Sequence, residues 1–330
     1  MMRTSLSVCK QVQPLVNFPG APVLDMELFR RKNKVVIVMG ATGTGKSRLA
    51  IDLATRFPAE IINSDKMQVY KGLDIVTNKV TEEECRGVPH HLLGTMDPDS
   101  NFTANDFCHH AFLAMESVTG RDRLPIIAGG SNSYIAAMVN QRAEFRMKYE
   151  CCFLWVDVSL PVLHSFVSER VDRMVEAGLV DEVRKLFDSE ADYSLGIRRA
   201  IGVPEMDKYL RIEATADKKT RARLLKVAIE KIKENTCLLA CRQLQKIHRF
   251  QNKWEWNIHR LDATEVFRRR SRLEAEEAWE KLVVRPSDLI VERFLYDQSR
   301  HVSSNIVSHD AAAAVIGSPM PIGAVAAATR

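Results

Sequence analysis

The first half of the chain is punctuated by short, predominantly apolar runs, interrupted only by Glu60 and Asp157. They cover residues 35–39 (Val-Val-Ile-Val-Met), 59–62 ahead of Asn63-Ser64-Asp65, 124–128 behind Arg123, and 151–158. Runs of this length without polar alternation are the pattern of strands buried on both faces. Between them the spacing becomes helical, with Leu49, Ala50, Leu53 and Ala54 after the first run and a stretch from about 103 to 118 before the third. Strand and helix alternating over 34–158 predict a parallel sheet covered on both faces. From Ser159 onward the period stays helical. Ser159 suits a cap and Pro161 a first turn. Val167, Val171, Met174 and Val175 then form a stripe that Leu179, Val183 and Leu186 continue beyond Gly178. Further helices are expected over about 219–250 and 265–284. The expected organisation is an N-terminal extension at 1–33, an α/β core at 34–158, a helical lobe at 159–220 and C-terminal helices packing on the core at 221–290. A disordered tail is expected at 300–330, which is rich in Ala, Gly and Ser and has no acidic residue after Asp310.

The first run leads into Gly40-Ala41-Thr42-Gly43-Thr44-Gly45-Lys46-Ser47, and a helix pattern follows. Strand, G-x-x-x-x-G-K-S, helix is the P-loop arrangement. Glycines let successive backbone N–H groups curl round an anion, and the helix N-terminus adds partial positive charge. Lys46 supplies a mobile cation for phosphate oxygens, and Ser47 a hydroxyl for Mg²⁺. The fold class is therefore α/β, a P-loop NTPase-like parallel sheet with flanking helices plus a smaller helical region. The motif predicts a bound di- or triphosphate without naming the molecule that carries it. Ligands of open α/β sheets sit at the carboxyl ends of strands. Asp65 and the Gly129-Gly130-Ser131 turn both follow a strand and are expected near that phosphate. Taken alone, Asp65 fits a turn-forming cap equally well.

Composition narrows the setting. The 330 residues are 46% hydrophobic and 27% charged, enough for a substantial core. The net charge of +5 suits phosphorylated ligands and is too small to argue for nucleic acid. Seven cysteines without a CxxC pair read as reduced and intracellular. Cys237 and Cys241, four apart on a helix, are expected to be buried small hydrophobes. The adjacent pairs His90-His91 and His109-His110 cannot share one face of an element and do not suggest a metal site. No run of about 18 apolar residues is present, so no transmembrane helix is expected. Residues 1–24 contain no Asp or Glu, which suits either an organelle transit peptide or an ordinary extension. Chloroplast and cytoplasm are thus the two locations to separate.

Several segments, in order, resemble the isopentenyltransferases that prenylate the N6 amine of adenine. They are the P-loop, Asn63-Ser64-Asp65-Lys66-Met67-Gln68-Val69-Tyr70-Lys71-Gly72-Leu73-Asp74, Gly87-Val88-Pro89-His90-His91-Leu92, and Leu124 through Ser131. They continue with Arg173-Met174-Val175-Glu176-Ala177-Gly178-Leu179-Val180-Asp181-Glu182-Val183, Arg199-Ala200-Ile201-Gly202 and Cys241-Arg242-Gln243-Leu244-Gln245-Lys246-Ile247. The likeness covers about 34–250. Gly129-Gly130-Ser131-Asn132-Ser133-Tyr134-Ile135 resembles the plant adenylate branch, whereas the tRNA enzymes usually carry Gly-Gly-Thr. No cysteine follows Cys241, so the zinc finger common in eukaryotic tRNA enzymes is not expected.

The resemblance implies that the P-loop residues Gly40, Ala41, Gly43, Thr44, Gly45, Lys46 and Ser47 hold dimethylallyl diphosphate, with Mg²⁺ on Ser47. AMP, ADP or ATP is the implied acceptor. Asp65 matches the family's general base. Thr42 and Arg146 match positions that contact the bridging oxygen of the donor. Ser131 belongs to the substrate-binding tip, Arg242 to a phosphate-binding segment, and Lys219, or its neighbour Lys218, to the acceptor phosphates. For Arg146, Lys219 and Arg242 an ordinary surface charge is the alternative. The rival activities are prenylation of a tRNA anticodon-loop adenosine and phosphoryl transfer by a P-loop kinase. A nucleotide-binding module without activity is the non-enzymatic rival.

Overall fold

The computed structural model describes residues 32–296. The expected extension and tail lie outside the described residues, except for Lys32 and Asn33. Six parallel strands form one sheet: β1 (Asn33–Gly40), β2 (Ala59–Asn63), β3 (His90–His91), β4 (Leu124–Ala128), β5 (Tyr149–Asp157) and β6 (Ile258–Asp262). Their order is β3-β2-β4-β1-β5-β6. The strand register runs Val36 to Ile126 on one side of β1 and Val36 to Cys152 on the other. The central run 35–39 has no exposed surface. Its side chains alternate between two cores, with Val35, Ile37 and Met39 facing one and Val36 and Val38 the other.

The helices are α1 (Lys46–Arg56), α2 (Glu82–Cys85), α3 (Ala104–Thr119), α4 (Asn132–Gln141), α5 (Ala143–Lys148), α6 (Leu160–Glu176), α7 (Leu179–Leu186) and α8 (Val203–Ile212). After them come α9 (Lys218–Trp254), α10 (Thr264–Arg268), α11 (Arg272–Trp279) and α12 (Arg285–Tyr296). The α1 helix ends at Arg56, where Pro58 forces Phe57 into an extended conformation. Thr103 caps α3 through a capping box with Asp106. Ser159 takes the N-cap position of α6, but its hydroxyl makes no capping bond, and its backbone N–H donates to the Thr264 hydroxyl instead.

The long helix α9 is the second organising element. At 1.5 Å per residue its 37 residues span about 55 Å. Ala228, Ile232, Thr236, Ala240, Gln243, Ile247 and Phe250 make its buried stripe. It packs on α6 and α8.

Two features depart from the apolar pattern. Residues 258–262 form an edge strand, β6, that pairs with β5 from Phe153 to Asp157. The single helix expected over 265–284 is instead α10, α11 and a π turn at Glu280–Val284 that leads into α12. The π turn lies just before Pro286, whose missing N–H and ring are incompatible with a regular preceding turn.

Candidate active site

The carboxyl ends of β1, β4 and β2 converge beneath α6 and α9. A cavity of about 1320 Å³ opens there, lined by Thr42, Gly43, Gly45, Lys46 and Ser47 of the P-loop, Asp65, and Gly129 to Ser133. The adjacency of β1 and β4 is the topological reason. The chain leaves β1 toward β2 on one side and leaves β4 toward β5 on the other, which opens a crevice at the strand tips.

The P-loop folds back on itself. Gly43 and Gly45 have φ of 84° and 94°, a left-handed conformation that favours glycine. A Cβ on Gly45 would also lie 2.7 Å from the Trp279 ring of α11, so the loop's outer wall is packed by the C-terminal helices. The Ala41 carbonyl accepts from the Thr44 hydroxyl at 3.0 Å and from Lys46 Nζ at 2.7 Å. Burial pushes the Lys46 ammonium down to about 8, with Arg170 acting in the same direction and Asp65 against it. Gly40, Ala41 and Thr44 shape the loop from behind; Thr42, Gly43, Gly45, Lys46 and Ser47 face the cavity. The exposed Ser47 hydroxyl makes no hydrogen bond among the described residues.

Asp65 reconciles the two readings left open by its position. Its Oδ1 accepts the amide of Met67 at 2.9 Å and closes a turn. Its Oδ2 faces the cavity, 3.4 Å from where a Cβ on Gly130 would stand. Ser131 holds the same corner, its hydroxyl accepting the Lys66 amide at 2.8 Å. Gly129 has no room for a side chain, since a Cβ would come 2.3 Å from the Ser64 carbonyl carbon. The β4 tip therefore lies directly against the backbone that carries Asp65.

The basic residues separate into two groups. Arg242 lines the cavity as expected. Arg146 does not. It sits on α5, before the start of β5 and so at the opposite edge of the sheet, where its guanidinium donates to the carbonyls of Val139 and Asn140. The arginine beside Thr42 is Arg170 of α6, whose Nη2 donates to the Thr42 hydroxyl at 2.9 Å. Its Nε is shielded from solvent without a partner. Burial brings its guanidinium down to about 10, helped by Arg173 and opposed by Asp65, so it remains charged at neutral pH. Lys219 sits in the exposed first turn of α9, where Asp217 caps its backbone amide at 2.8 Å. Thirteen residues of helix separate it from Ile232, the first cavity residue on α9, or about 20 Å. Lys218 lies beside it on the same exposed turn.

The cavity rim instead carries Lys66, Arg199, Lys246 and Arg249. Burial lowers the Lys66 pKa, and Arg199 and Lys246 add to the effect. Among the described residues none of these four has a carboxylate within ion-pair distance. The sequence signal for Arg170 was faint: one arginine adjoining the Val167, Val171 and Met174 stripe. Lys66, next to Asp65, carries no sequence signal beyond the motif it belongs to. Cys237 and Cys241 are half-buried rather than buried. The Cys241 sulfur lies 3.4 Å from His164 Nε2, on the face that α9 turns toward α6.

A family model described as IPP transferase matches residues 68–148 and 138–249. The chain is 64% identical to adenylate isopentenyltransferase 5, chloroplastic, of Arabidopsis thaliana, over 100% of both chains. It is 55% identical to adenylate isopentenyltransferase 7, mitochondrial, of the same plant, over 96% of this chain and 97% of that one. Among solved structures, a eukaryotic dimethylallyltransferase acting on tRNA superposes with a TM-score of 0.69 at 23% identity, covering 81% of this chain and 80% of that chain; it speaks to the fold alone. The full-length tRNA isopentenylpyrophosphate transferase from Bacillus halodurans gives 0.64 at 27% identity, covering 81% and 99%. The chain belongs to the IPP transferase family and, within this family of prenyl-transferring enzymes, groups with the plant adenylate isopentenyltransferases.

Proposed function

We propose that the protein transfers the dimethylallyl group of dimethylallyl diphosphate to N6 of the adenine in AMP, ADP or ATP and releases diphosphate, the first step of cytokinin formation. The observation that carries this is a single cavity with a buried cationic P-loop wall on one side and the free oxygen of Asp65 on the other. The N6 lone pair attacks the allylic C1 as the C1–O bond breaks, and the bridging oxygen keeps the electron pair. Asp65 accepts the N6 proton, a role typically worth ~10²–10⁴-fold. Lys46, the P-loop amides, the Thr42 hydroxyl and Arg170 face the charge that gathers on the leaving diphosphate. Lys66, Arg199, Arg242 and Lys246 supply cations for the acceptor's phosphates, the role first expected of Lys219. Arg146 has no part in this scheme.

The Ser47 hydroxyl, unpaired and facing the cavity, fits one position of a Mg²⁺ ion that otherwise keeps water and phosphate oxygens. When bound, the ion would neutralise diphosphate charge. The acid-poor residues 1–24 and the relatives named chloroplastic and mitochondrial support an organellar address, and a plastid is our finer reading; a fluorescent fusion checks it. No described helix is long and apolar enough to cross a membrane.

The test mixes protein, Mg²⁺ and dimethylallyl diphosphate with AMP, ADP, ATP or unmodified tRNA, and reads mass. A prenyl mass gain on nucleotides is expected. A gain on tRNA alone would move the acceptor to nucleic acid. ADP release from ATP without any gain would make the protein a P-loop kinase.

A further inference from the structure

Gln243 projects from the middle of α9 into the joint between the two halves of the site, and only 7% of it is exposed. Its Oε1 accepts the backbone N–H of Thr42 at 2.7 Å. Its Nε2 donates to the Gly130 carbonyl at 2.9 Å. Its own backbone carbonyl accepts from Asn132 Nδ2 at 3.0 Å. One side chain thus spans from the P-loop to the strand tip against which Asp65 rests. Gly130 makes the contact possible, since a Cβ there would meet Gln243 Nε2 at 2.4 Å and stand 3.4 Å from Asp65 Oδ2. The two bonds need opposite polarity at the end of one side chain of this length. A carboxylate offers no donor to Gly130, and an ammonium offers no acceptor to Thr42.

From this we infer that Gln243 is a positioning residue that sets the separation between the donor loop and the Asp65 carboxylate. The inference rests on the prenyl-transfer reading above. Gln243 touches neither reacting atom; it fixes the distance over which N6, held at Asp65, reaches C1 of a donor held at Thr42 and Arg170. Misplacement of reacting groups by about 1 Å can cost on the order of 10²-fold in rate.

The experiment is a double-mutant cycle on the full chain. Gln243→Met keeps the length and removes both bonds. It should lower kcat about 10²-fold, while calorimetry shows less than a threefold change in the Kd of dimethylallyl diphosphate. In an Asp65→Asn background, where no carboxylate remains to be placed, the same substitution should change single-turnover rates less than threefold. Gln243→Asn, one methylene short but chemically intact, carries the same test if Gln243→Met does not fold. Full kcat in the folded variant, or an equal loss in both backgrounds, overturns the positioning role. Wild-type protein that binds the donor yet prenylates no nucleotide overturns instead the reaction on which it rests.

Discussion

The two edges of the sheet handle charge in opposite ways. At the amino edge, cations are matched. Glu60, 3% exposed, pairs with Arg121 and His91 at 2.7 Å and with Arg123 at 3.7 Å. Lys148 pairs with Glu116, and Arg146 is spent on the carbonyls that close α4. Burial works to raise the Glu60 pKa, but hydrogen bonds from Arg121 and His91 outweigh it and hold the carboxyl below its usual range. At the carboxyl edge, Lys46, Lys66 and Arg170 are desolvated without a carboxylate within ion-pair distance, and the pKa of each is lowered. A buried cation without a counter-charge lowers stability unless something anionic arrives. The comparison teaches which edge is built to receive an anion, and why Arg146 and Arg170, 24 residues apart, stand in different surroundings.

The largest effect expected from breaking this contrast is at Asp65. Asp65→Ala should lower kcat by roughly two to four orders of magnitude and leave donor binding within a few-fold, as read by steady-state kinetics and calorimetry. Unchanged turnover would remove Asp65 as the base. Next, Arg170→Ala should cost about 10²–10³-fold in kcat, whereas Arg146→Ala should stay within twofold; the reverse ranking would dismantle the comparison.

Lys46→Ala should weaken binding of dimethylallyl diphosphate about 10–100-fold, the worth of one charge-assisted contact. The pH dependence sharpens this point. The Lys46 ammonium, held at about 8 in the free protein, is charged below that pH and loses its proton as pH rises through it. Donor Kd should therefore weaken above pH 8, approaching about tenfold per unit. Lys46→Ala should abolish that slope. At the amino edge Glu60→Gln should leave kcat unchanged and lower Tm by about 2–4 °C, the shift for 1–2 kcal/mol in a domain of this size.

Much of the fold was legible in the pattern because doubly buried strands must be apolar on both faces. The runs at 35–39, 59–62 and 124–128 fall in strands of the sheet, as does 151–158 up to Asp157, and helices α1, α3, α6, α7 and α9 follow their stripes. Strand β6 was not legible. As a short edge strand with Ile258 and His259 only partly covered and Arg260 exposed, it carries no continuous apolar signature. The helix expected at 265–284 breaks at Arg269–Ser271, where the backbone turns extended between α10 and α11; only the π turn further on sits beside Pro286.

The site was legible where chemistry is encoded locally. A P-loop is a contiguous motif, and Asp65 follows directly from a strand tip, so the sequence alone determined that the P-loop and the Asp65 carboxylate meet at the carboxyl edge of a parallel sheet. Which cations join them was decided by tertiary structure. Arg146, Arg170, Lys219, Lys246 and Gln243 lie on helices whose ends and rotations are set by packing, and exposed cations share one sequence signature whatever they face. Only the folding of α6 and α9 across the strand tips brings Arg170 and Gln243 to Thr42 and leaves Lys219 some 20 Å down the helix, because helix packing is governed by the buried stripe and not by the charges it carries.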